Sequence, residues 1–151
     1  EIVLAALGPK MLELAASETA GAHPYFVPPE HTEFAREIMG PDALLYPEQM
    51  VVIEEDPDTA RSIARQHMKT YTALPNYANN LIRLGYEAAD IENLSDNVVD
   101  AVVVWGTMDS IRARVQAHFD AGADHVCVQV LTEEPNQVPD GWRTLAPVLI
   151  G

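Results

Sequence analysis

Residues 111–131 read IRARVQAHFDAGADHVCVQVL, and this stretch decides the fold. Apolar residues recur at helical spacing through residues 109–121, and Gly122 can end such a helix in a left-handed conformation. Residues 125–131 follow at once and have the length and apolar content of a buried strand. The stretch therefore predicts a helix that leads directly into a strand, as in the second half of a βαβ unit.

An earlier segment, residues 12–27, repeats this order with the sequence LELAASETAGAHPYFV. When Gly21 is aligned with Gly122, both segments pass from a helical pattern through Ala-Gly-Ala into a strand, here near residues 23–27. Two copies of this helix-to-strand pattern in one chain favour an α/β fold and are typical of a (β/α) barrel.

Two further apolar runs complete the pattern. Residues 2–7 (IVLAAL) stop at Gly8-Pro9, and residues 50–54 (MVVIE) are followed by Asp56-Pro57, a sequence typical of a helix start. Strands that are apolar on both faces lie in parallel sheets covered on both sides. We therefore predict one α/β domain over residues 1–151, with about four parallel strands near residues 2–7, 23–27, 50–54 and 125–131.

An inserted segment, residues 75–97, interrupts the alternation of strands and helices. A helix is expected to start near Pro75, and the polar residues 86–97 are expected to form a surface loop. Residues 98–104 fit a strand or a helix by period, and we expect a helix that ends in a turn at Trp105-Gly106. Residues 142–150 predict a closing helix.

A complete (β/α)8 barrel has eight strands, so four strands predict the C-terminal half of a TIM barrel. In such a half, residues 2–7 and 125–131 would be apolar edges without a strand partner. Because unpaired apolar edges recruit partners, we expect the chain to form a homo-oligomer.

The composition excludes several classes of partner. Nine basic and 23 acidic residues give a net charge of −14, which repels nucleic acid and anionic membranes. The single cysteine, Cys127, rules out a disulfide framework and predicts a small buried side chain, and the five histidines lack metal-binding spacing, so no metal is expected. No apolar run approaches the ~18 residues of a membrane span, and we expect a cytoplasmic protein.

Two blocks of the sequence resemble a known family. Residues 2–32, IVLAALGPKMLELAASETAGAHPYFVPPEHT, resemble the fifth and sixth βα units of the luciferase-like monooxygenase superfamily. Residues 105–131 resemble the segment through that family's last strand, with Gly-Thr, an acidic residue, an Arg-Val helix and Ala-Gly-Ala-Asp-His-Val in order. The resemblance covers nearly the whole chain. The sequence is most similar to the branch that uses the deazaflavin coenzyme F420, although FMN-using members share much of the pattern.

The resemblance implies an oxidoreductase that moves a hydride between reduced F420 and an organic small-molecule substrate at the C-terminal mouth of a barrel. An FMN-dependent monooxygenase is the alternative. The family's first four strands, with the residues that grip the cofactor ring and most acid–base groups, have no counterpart in this sequence. We therefore name no catalytic residue and expect the chain alone to be inactive.

The turn after the first strand is the first candidate cofactor-binding site. A helix N-terminus that follows a strand binds anions through free amides and the helix dipole. The resemblance implies that this turn lies along the phosphate-bearing tail of the cofactor, with Lys10 adding positive charge, and an ordinary turn with a solvated lysine is the alternative. The candidate residues are Ala6, Leu7, Gly8, Pro9 and Lys10.

Other candidates lie in the second and last strands and in the inserted segment. The resemblance implies that His23 and Tyr25 approach the cofactor tail, while the alternatives are a backbone-bonded histidine and a core tyrosine. Asn76 and Tyr77, in the segment that can roof a substrate pocket, and Gln129, a polar residue in an apolar strand, are candidate substrate-binding residues. For the two residues of the inserted segment, helix capping and solvent exposure is the alternative.

Two other functions remain open. A phosphate-binding barrel of isomerase or aldolase type would carry a glycine-rich loop after its last strands, whereas residues 54–59 and 132–137 are acidic and lack glycine. A non-catalytic, self-associating half-barrel is the third hypothesis.

Overall fold

The computed structural model describes residues 2–150 as an α/β fold of short, entirely parallel strands and eight α-helices. The strands are β1 (Val3–Leu4), β2 (Gly21–Ala22), β3 (Leu44–Leu45), β4 (Glu48–Val52), β5 (Val103–Trp105) and β6 (Cys127–Leu131). The helices are α1 (Pro9–Glu18), α2 (Pro29–Met39), α3 (Pro57–Thr72), α4 (Pro75–Arg83), α5 (Ala88–Asn93), α6 (Asp96–Val102), α7 (Met108–Asp120) and α8 (Val138–Leu149), with a 3₁₀ turn at Pro135–Gln137.

The strands form two three-stranded sheets with the orders β1-β2-β3 and β5-β4-β6. The segment from β3 to β4 joins them, because the amides of Tyr46 and Glu48 donate towards β2, to the carbonyls of Ala22 and Pro24. On the opposite edge, the Pro47 carbonyl accepts from the first residue of β6. The strands therefore lie side by side in the order β1, β2, β3–β4 and β6. Further along β4, where β2 has ended, β5 pairs with the edge of β4 opposite β6.

Alternate residues of β4 face two layers of helices. Val51 packs with Ile111 of α7 and Leu145 of α8, and α1 and α2 cover β1–β3 in a neighbouring cluster. Met50 and Val52 point the other way and pack with α3, α4, α5 and α6, all of which lie between β4 and β5 in the chain. The sheet is thus buried on both faces, as expected for parallel strands.

Glycine is required at two of the helix-to-strand junctions. A Cβ atom on Gly21 would lie 1.9 Å from the Leu44 carbonyl oxygen, so only glycine lets β2 approach β3 this closely. Gly122 follows α7 with φ of +99°, a conformation that side chains rarely adopt. The repeated Ala-Gly-Ala sequence therefore marks two glycines with different backbone requirements: Gly21 for close approach and Gly122 for its positive φ.

Several predicted boundaries are wrong. The strand expected near residues 23–27 lies earlier, at Gly21–Ala22, because Pro24 has no amide hydrogen for the ladder and Phe26 is left-handed with φ of 62°. The strand expected at residues 2–7 is only Val3–Leu4, and the one expected at residues 50–54 is Glu48–Val52. The strand expected at residues 125–131 begins two residues later, at Cys127, which is half-buried rather than buried.

Two strands and one helix were not predicted. β3 is absent from the prediction, and residues 98–104 divide into the end of α6 and β5, so Trp105 ends a strand instead of forming a turn. The polar residues 86–97 contain α5, because Ile91 and Leu94 are buried in the core beside α3 and α6. The cap predicted at Asp56 is confirmed, since its carboxylate accepts the Thr59 amide at 2.9 Å.

Across residues 2–150, no helix combines the length and the apolar character needed to cross a membrane.

Candidate functional site

A groove lies at the carboxyl ends of β4 and β6. The register pairs Val52 with Leu131, so both strands end at the same level and their following loops meet. Two adjoining cavities of about 510 and 360 Å³ open there between α3 and α8. Carboxyl ends of parallel strands are the usual place for a ligand site in α/β proteins. We call this combined space the β6 groove.

The β6 groove has an apolar floor and an acidic rim. Both cavities share Ile63 of α3, Val130, Leu131, Thr132 and Glu133. Further carboxylates at the rim come from Glu54 and Asp140, and the smaller cavity adds His67 and Gln129. Within the described chain, no lysine or arginine lines either cavity. The groove therefore favours neutral or cationic groups over anions.

A cluster of tyrosines lies directly behind the groove wall. The Tyr25 hydroxyl is 2.7 Å from Gln129 Oε1, 3.0 Å from the Tyr71 hydroxyl and 3.5 Å from His67 Nε2. The ring of Tyr77 of α4 lies edge-on to the rings of Tyr25 and Tyr71, with centroids 6.3 and 5.3 Å apart. We call Tyr25, Tyr71 and Tyr77 the tyrosine cluster.

The hydrogen bonds of this cluster have one consistent direction. A carboxamide oxygen can only accept, so the Tyr25 hydroxyl donates to Gln129, and the Tyr71 hydroxyl then donates to Tyr25. Burial lowers the pKa of His67, which favours a neutral ring, and the Gln129 amide nitrogen lies 3.5 Å from its Nε2. The chain of bonds fixes the Gln129 oxygen towards Tyr25 and leaves its amide nitrogen on the side of His67 and the groove.

A buried carboxyl group lies beneath the cluster. Glu48 Oε2 accepts the amide of Phe26 at 3.2 Å, and burial raises the pKa of this carboxyl to about 8. Burial is also the main cause that raises the pKa of the Tyr25 hydroxyl, and the proximity of Glu48 adds to it. At neutral pH both groups are therefore uncharged.

The turn before α1 carries the second group of candidate residues. The Gly8 carbonyl accepts the amides of Met11 and Leu12, and Lys10 is exposed. Arg83 of α4 reaches this turn, because its Nη2 lies 3.8 Å from the position that a Cβ on Gly8 would occupy. The turn thus combines a helix N-terminus with a guanidinium group, which suits an anion.

The preceding residues of the turn are held from below. Ala6 is buried against α1 and α2, and the Leu7 carbonyl lies 2.9 Å from Nε2 of buried His31. Burial, the largest cause, lowers the pKa of His31 to about 4, so its neutral ring donates this bond at physiological pH. Pro9 starts α1 with its fixed φ. This support fixes the backbone where the strand becomes a helix.

Helix α4 connects the two groups of candidate residues. Tyr77 belongs to the tyrosine cluster, and Arg83, six residues further along the helix, reaches the turn of residues 6–10, which we call the Gly8 turn. At 1.5 Å per residue, the two positions are about 9 Å apart along the helix. The inserted helices therefore place one wall along both candidate regions.

The structure brings four of the predicted site residues together and places a fifth, His23, in a backbone contact elsewhere. Tyr25, Tyr77 and Gln129 meet in and beside the tyrosine cluster. Burial raises the pKa of Tyr77, and the neighbouring Asn76 side chain partly offsets this. His23 instead bonds the Tyr46 carbonyl through Nδ1, which is the backbone contact considered as its alternative.

Four residues of these regions were missed from the sequence: Glu48, His67, Tyr71 and Arg83. His67 and Tyr71 are four residues apart on α3, a spacing that places them on one helix face and could have marked them as a pair. Glu48 lies two residues before the apolar run that begins at Met50, and a charged residue there could have suggested a buried acid. No sequence signal links Arg83 to Gly8.

Within residues 2–150, no three histidine, cysteine, aspartate or glutamate side chains converge in a way that could hold a metal ion. The fold and the groove define a parallel α/β protein whose strand ends carry a cleft with an apolar floor and an acidic rim. The chain belongs to the luciferase-like monooxygenase family, whose sequence profile matches residues 1–125. The predicted resemblance is confirmed, and members of this family are oxidoreductases and monooxygenases.

Several solved structures share this fold. An F420-dependent secondary alcohol dehydrogenase in complex with an F420–acetone adduct matches all of this chain and 50% of its own, at 14% identity and a TM-score of 0.65. The coenzyme F420-dependent tetrahydromethanopterin reductase from Methanopyrus kandleri matches 97% of this chain and 48% of its own, at 17% identity and a TM-score of 0.59. The EDTA monooxygenase EmoA from Chelativorans sp. BNC1 matches 97% and 43%, at 13% identity and a TM-score of 0.59.

The search of curated proteins found no match. At these identities the structural likeness shows the fold alone, and the chain spans about half the length of the solved structures that it matches.

Proposed function

We propose that this chain forms the C-terminal half of a luciferase-like (β/α)8 barrel, part of an oxidoreductase that transfers a hydride between reduced coenzyme F420 and an organic substrate. FMN is the alternative cofactor. The observation that carries the proposal is the position of α4, which runs from the Gly8 turn to the tyrosine cluster and so offers one surface to both a cofactor tail and a substrate.

The residues at the Gly8 turn fit a phosphate-bearing group. Among the described residues, only the Arg83 guanidinium comes within 4 Å of the place that a Cβ on Gly8 would occupy, and the N-terminus of α1 adds its dipole. These features overcome, locally, the net charge of −14 that would repel an anion. When bound, the deazaflavin would supply the hydride chemistry, while this turn would hold its tail.

The β6 groove is the proposed substrate side of the site. Its floor of Ile63, Val130 and Leu131 would exclude water, and the amide nitrogen of Gln129 would offer a donor whose orientation Tyr25 fixes. The acidic rim would discriminate against carboxylate-bearing substrates. In this proposal the substrate is a neutral or cationic organic molecule.

Titration of the protein with F420 and, in parallel, with FMN tests the proposal. Arg83→Gln should weaken cofactor affinity about tenfold, because it removes one charged phosphate partner. Arg112→Gln is the matched control, since Arg112 is an exposed arginine of α7 that bonds the Val148 carbonyl, and it should bind like the wild type. Tighter binding of F420 than of FMN supports the deazaflavin assignment, and the reverse supports FMN.

Binding of neither cofactor to the intact protein that carries this chain would contradict the proposal. Equal weakening by Arg83→Gln and Arg112→Gln would contradict the assignment of the Gly8 turn, because a general charge effect would then explain both.

A second candidate function, self-association, is favoured by an apolar surface at the free side of β6. A cavity of about 470 Å³ lies there between α7 and α8, and Phe119 and Trp142 beside it are 40% and 42% exposed. Such a surface suits a second copy of the chain. Light scattering at tens of micromolar protein tests this, and a single monomer peak would contradict it.

A further inference from the structure

The carboxyl group of Glu48 combines deep burial with incomplete hydrogen bonding. Glu48 is 4% exposed, and its Oε2 accepts the Phe26 amide. Its Oε1 has no hydrogen-bond partner among the described residues. An unpaired polar atom in a protein interior is costly, and in a native fold it calls for an explanation.

The group that Glu48 binds is itself strained. Phe26 is fully buried and has φ of 62°, the left-handed region that bulky side chains avoid. Its ring stacks on the ring of Tyr71, with centroids 5.3 Å apart. The residue just before it, Tyr25, donates to Gln129 in the wall of the β6 groove. A change at the Phe26 backbone would therefore move Tyr25.

We propose that Glu48 is a positioning residue: by accepting the Phe26 amide hydrogen, its carboxyl holds the left-handed turn that keeps the Tyr25 hydroxyl on Gln129. The positioning depends only on the geometry of this chain. Its consequence for a ligand in the groove rests on the proposed function above.

The surroundings of Glu48 make this turn sensitive to pH. The titratable groups that face it are Tyr25, Tyr77 of α4 and Cys127 of β6, none of which is a cation. Tyr71 and His67 lie beyond Tyr25, and burial lowers the pKa of His67, so that ring is also neutral above pH 7. The pKa of Glu48, raised to about 8 by burial, predicts that its charge appears just above physiological pH.

Protein labelled with ¹³C at the tyrosine ζ carbon tests the proposal without any ligand, and Tyr25→Phe assigns the Tyr25 resonance. Glu48→Gln should leave this resonance in place at pH 7, because its amide oxygen still accepts the Phe26 hydrogen. Glu48→Leu should shift it, because that acceptor is lost. In the wild type the resonance should move with a midpoint near pH 8, and in Glu48→Gln it should not.

The control is Gln116→Leu, a substitution of the same kind at an exposed position of α7, which should leave the Tyr25 resonance in place. An unshifted resonance in folded Glu48→Leu overturns the proposal. If Glu48→Leu does not fold, the pH titration decides: a wild-type resonance that does not respond, or an identical response in Glu48→Gln, overturns it.

Cofactor titration adds a second measurement. Because the proposed tail site is the Gly8 turn and not the β6 groove, Glu48→Gln and Glu48→Leu should both bind cofactor like the wild type at pH 7. A roughly tenfold loss of cofactor affinity in Glu48→Leu, about 1.4 kcal/mol, would overturn the assignment of Glu48 to the groove. If the wild type binds no cofactor, the proposed function fails, and the Tyr25 resonance still decides the positioning role.

Discussion

Two neighbouring side chains of β4, Glu48 and Gln49, are both buried and polar but belong to different kinds of region. Gln49 faces α7, where each polar atom of its side chain has a partner. Its Nε2 donates to the Met50 and Val102 carbonyls at 2.8 and 2.9 Å, and its Oε1 accepts from His118 at 3.0 Å. This side chain therefore joins β4 to α6 and α7 at little electrostatic cost.

The bonds of His118 complete this network without a charge. Because Gln49 Oε1 can only accept, His118 Nε2 carries the hydrogen, and Nδ1 accepts from the Thr32 hydroxyl at 2.7 Å. Burial lowers the pKa of His118 to about 4, which keeps the ring neutral at physiological pH. A neutral, saturated network of this kind rigidifies a core.

Glu48, one residue earlier, points to the opposite face and shows the contrary pattern. Its Oε1 has no hydrogen-bond partner among the described residues, and its Oε2 accepts from Phe26, whose backbone is strained. Strain and unmet hydrogen bonding are tolerated where a site needs them, whereas saturated networks serve packing. The contrast separates, within one strand, a residue that holds the fold from a residue that shapes the candidate site.

Gln49→Leu should give the largest effect. It leaves the His118 Nε2 hydrogen unpaired in the interior and removes both donor bonds of the side chain, so the free energy of unfolding should fall by about 3 kcal/mol. Urea denaturation measures this, with Gln116→Leu as the matched control, because Gln116 is exposed on α7 and should change stability by less than about 0.5 kcal/mol. A loss below about 1 kcal/mol at Gln49 would show that the network is not structural.

The second prediction concerns stability against pH. His31 and His118 have pKa values lowered to about 4, so between about pH 4 and 6.5 the unfolded chain binds two protons at these residues that the folded chain does not, and the lowered pKa of His67 acts in the same direction. Glu48, with its pKa raised to about 8, binds a proton in the folded chain that the unfolded chain lacks between pH 4.5 and 8. Stability should therefore be greatest near pH 6.5.

The slopes on each side test the contrast between the two networks. Between pH 6.5 and about 8, stability should fall by about 1.4 kcal/mol per unit as pH rises. Below pH 6.5 it should fall by at least about 1.4 kcal/mol per unit as pH drops, because His67 adds to the two buried histidines. Glu48→Gln should remove the alkaline slope and raise the acidic slope to at least about 2.7 kcal/mol per unit. Urea denaturation at intervals from pH 5 to 8.5 measures both limbs, and an unchanged alkaline limb in Glu48→Gln would assign that limb to another group.

The sequence predicted the elements that local chemistry defines. Helices that begin with Pro9, Pro57 or Pro75 were found because proline favours the first helical turn, and Asp56 was recognised as a cap. β3 and β5 were missed because each is so short that its pairing with a distant strand, not its own pattern, makes it a strand. The position of β2 was missed because no local pattern reveals the left-handed Phe26.

The candidate site was predicted only in part for the same reason. Gln129 stood out because a polar side chain in an apolar strand needs a partner, and Tyr25 was named from the family resemblance; the structure joins the two. Arg83 and His67 could not be predicted, because only the folding of α3 and α4 against the sheet brings them to Gly8 and Tyr25. Contacts across more than 40 residues depend on topology that a local pattern does not contain.

Tyr25→Phe should give the smallest change in stability and the clearest local one. Removing the half-buried hydroxyl leaves the Gln129 oxygen unpaired and leaves the Tyr71 hydroxyl to bond water. The free energy of unfolding should therefore fall by about 1 kcal/mol. The Gln129 side-chain amide should then shift in ¹⁵N–¹H spectra, because its carboxamide is free to rotate. Tyr46→Phe, whose ring packs edge-on to His125, is the control and should leave the Gln129 amide unchanged. An unshifted Gln129 amide in Tyr25→Phe would mean that packing, not the hydroxyl, orients this side chain, and the distinction between Glu48 and Gln49 would then lose its consequence for the groove.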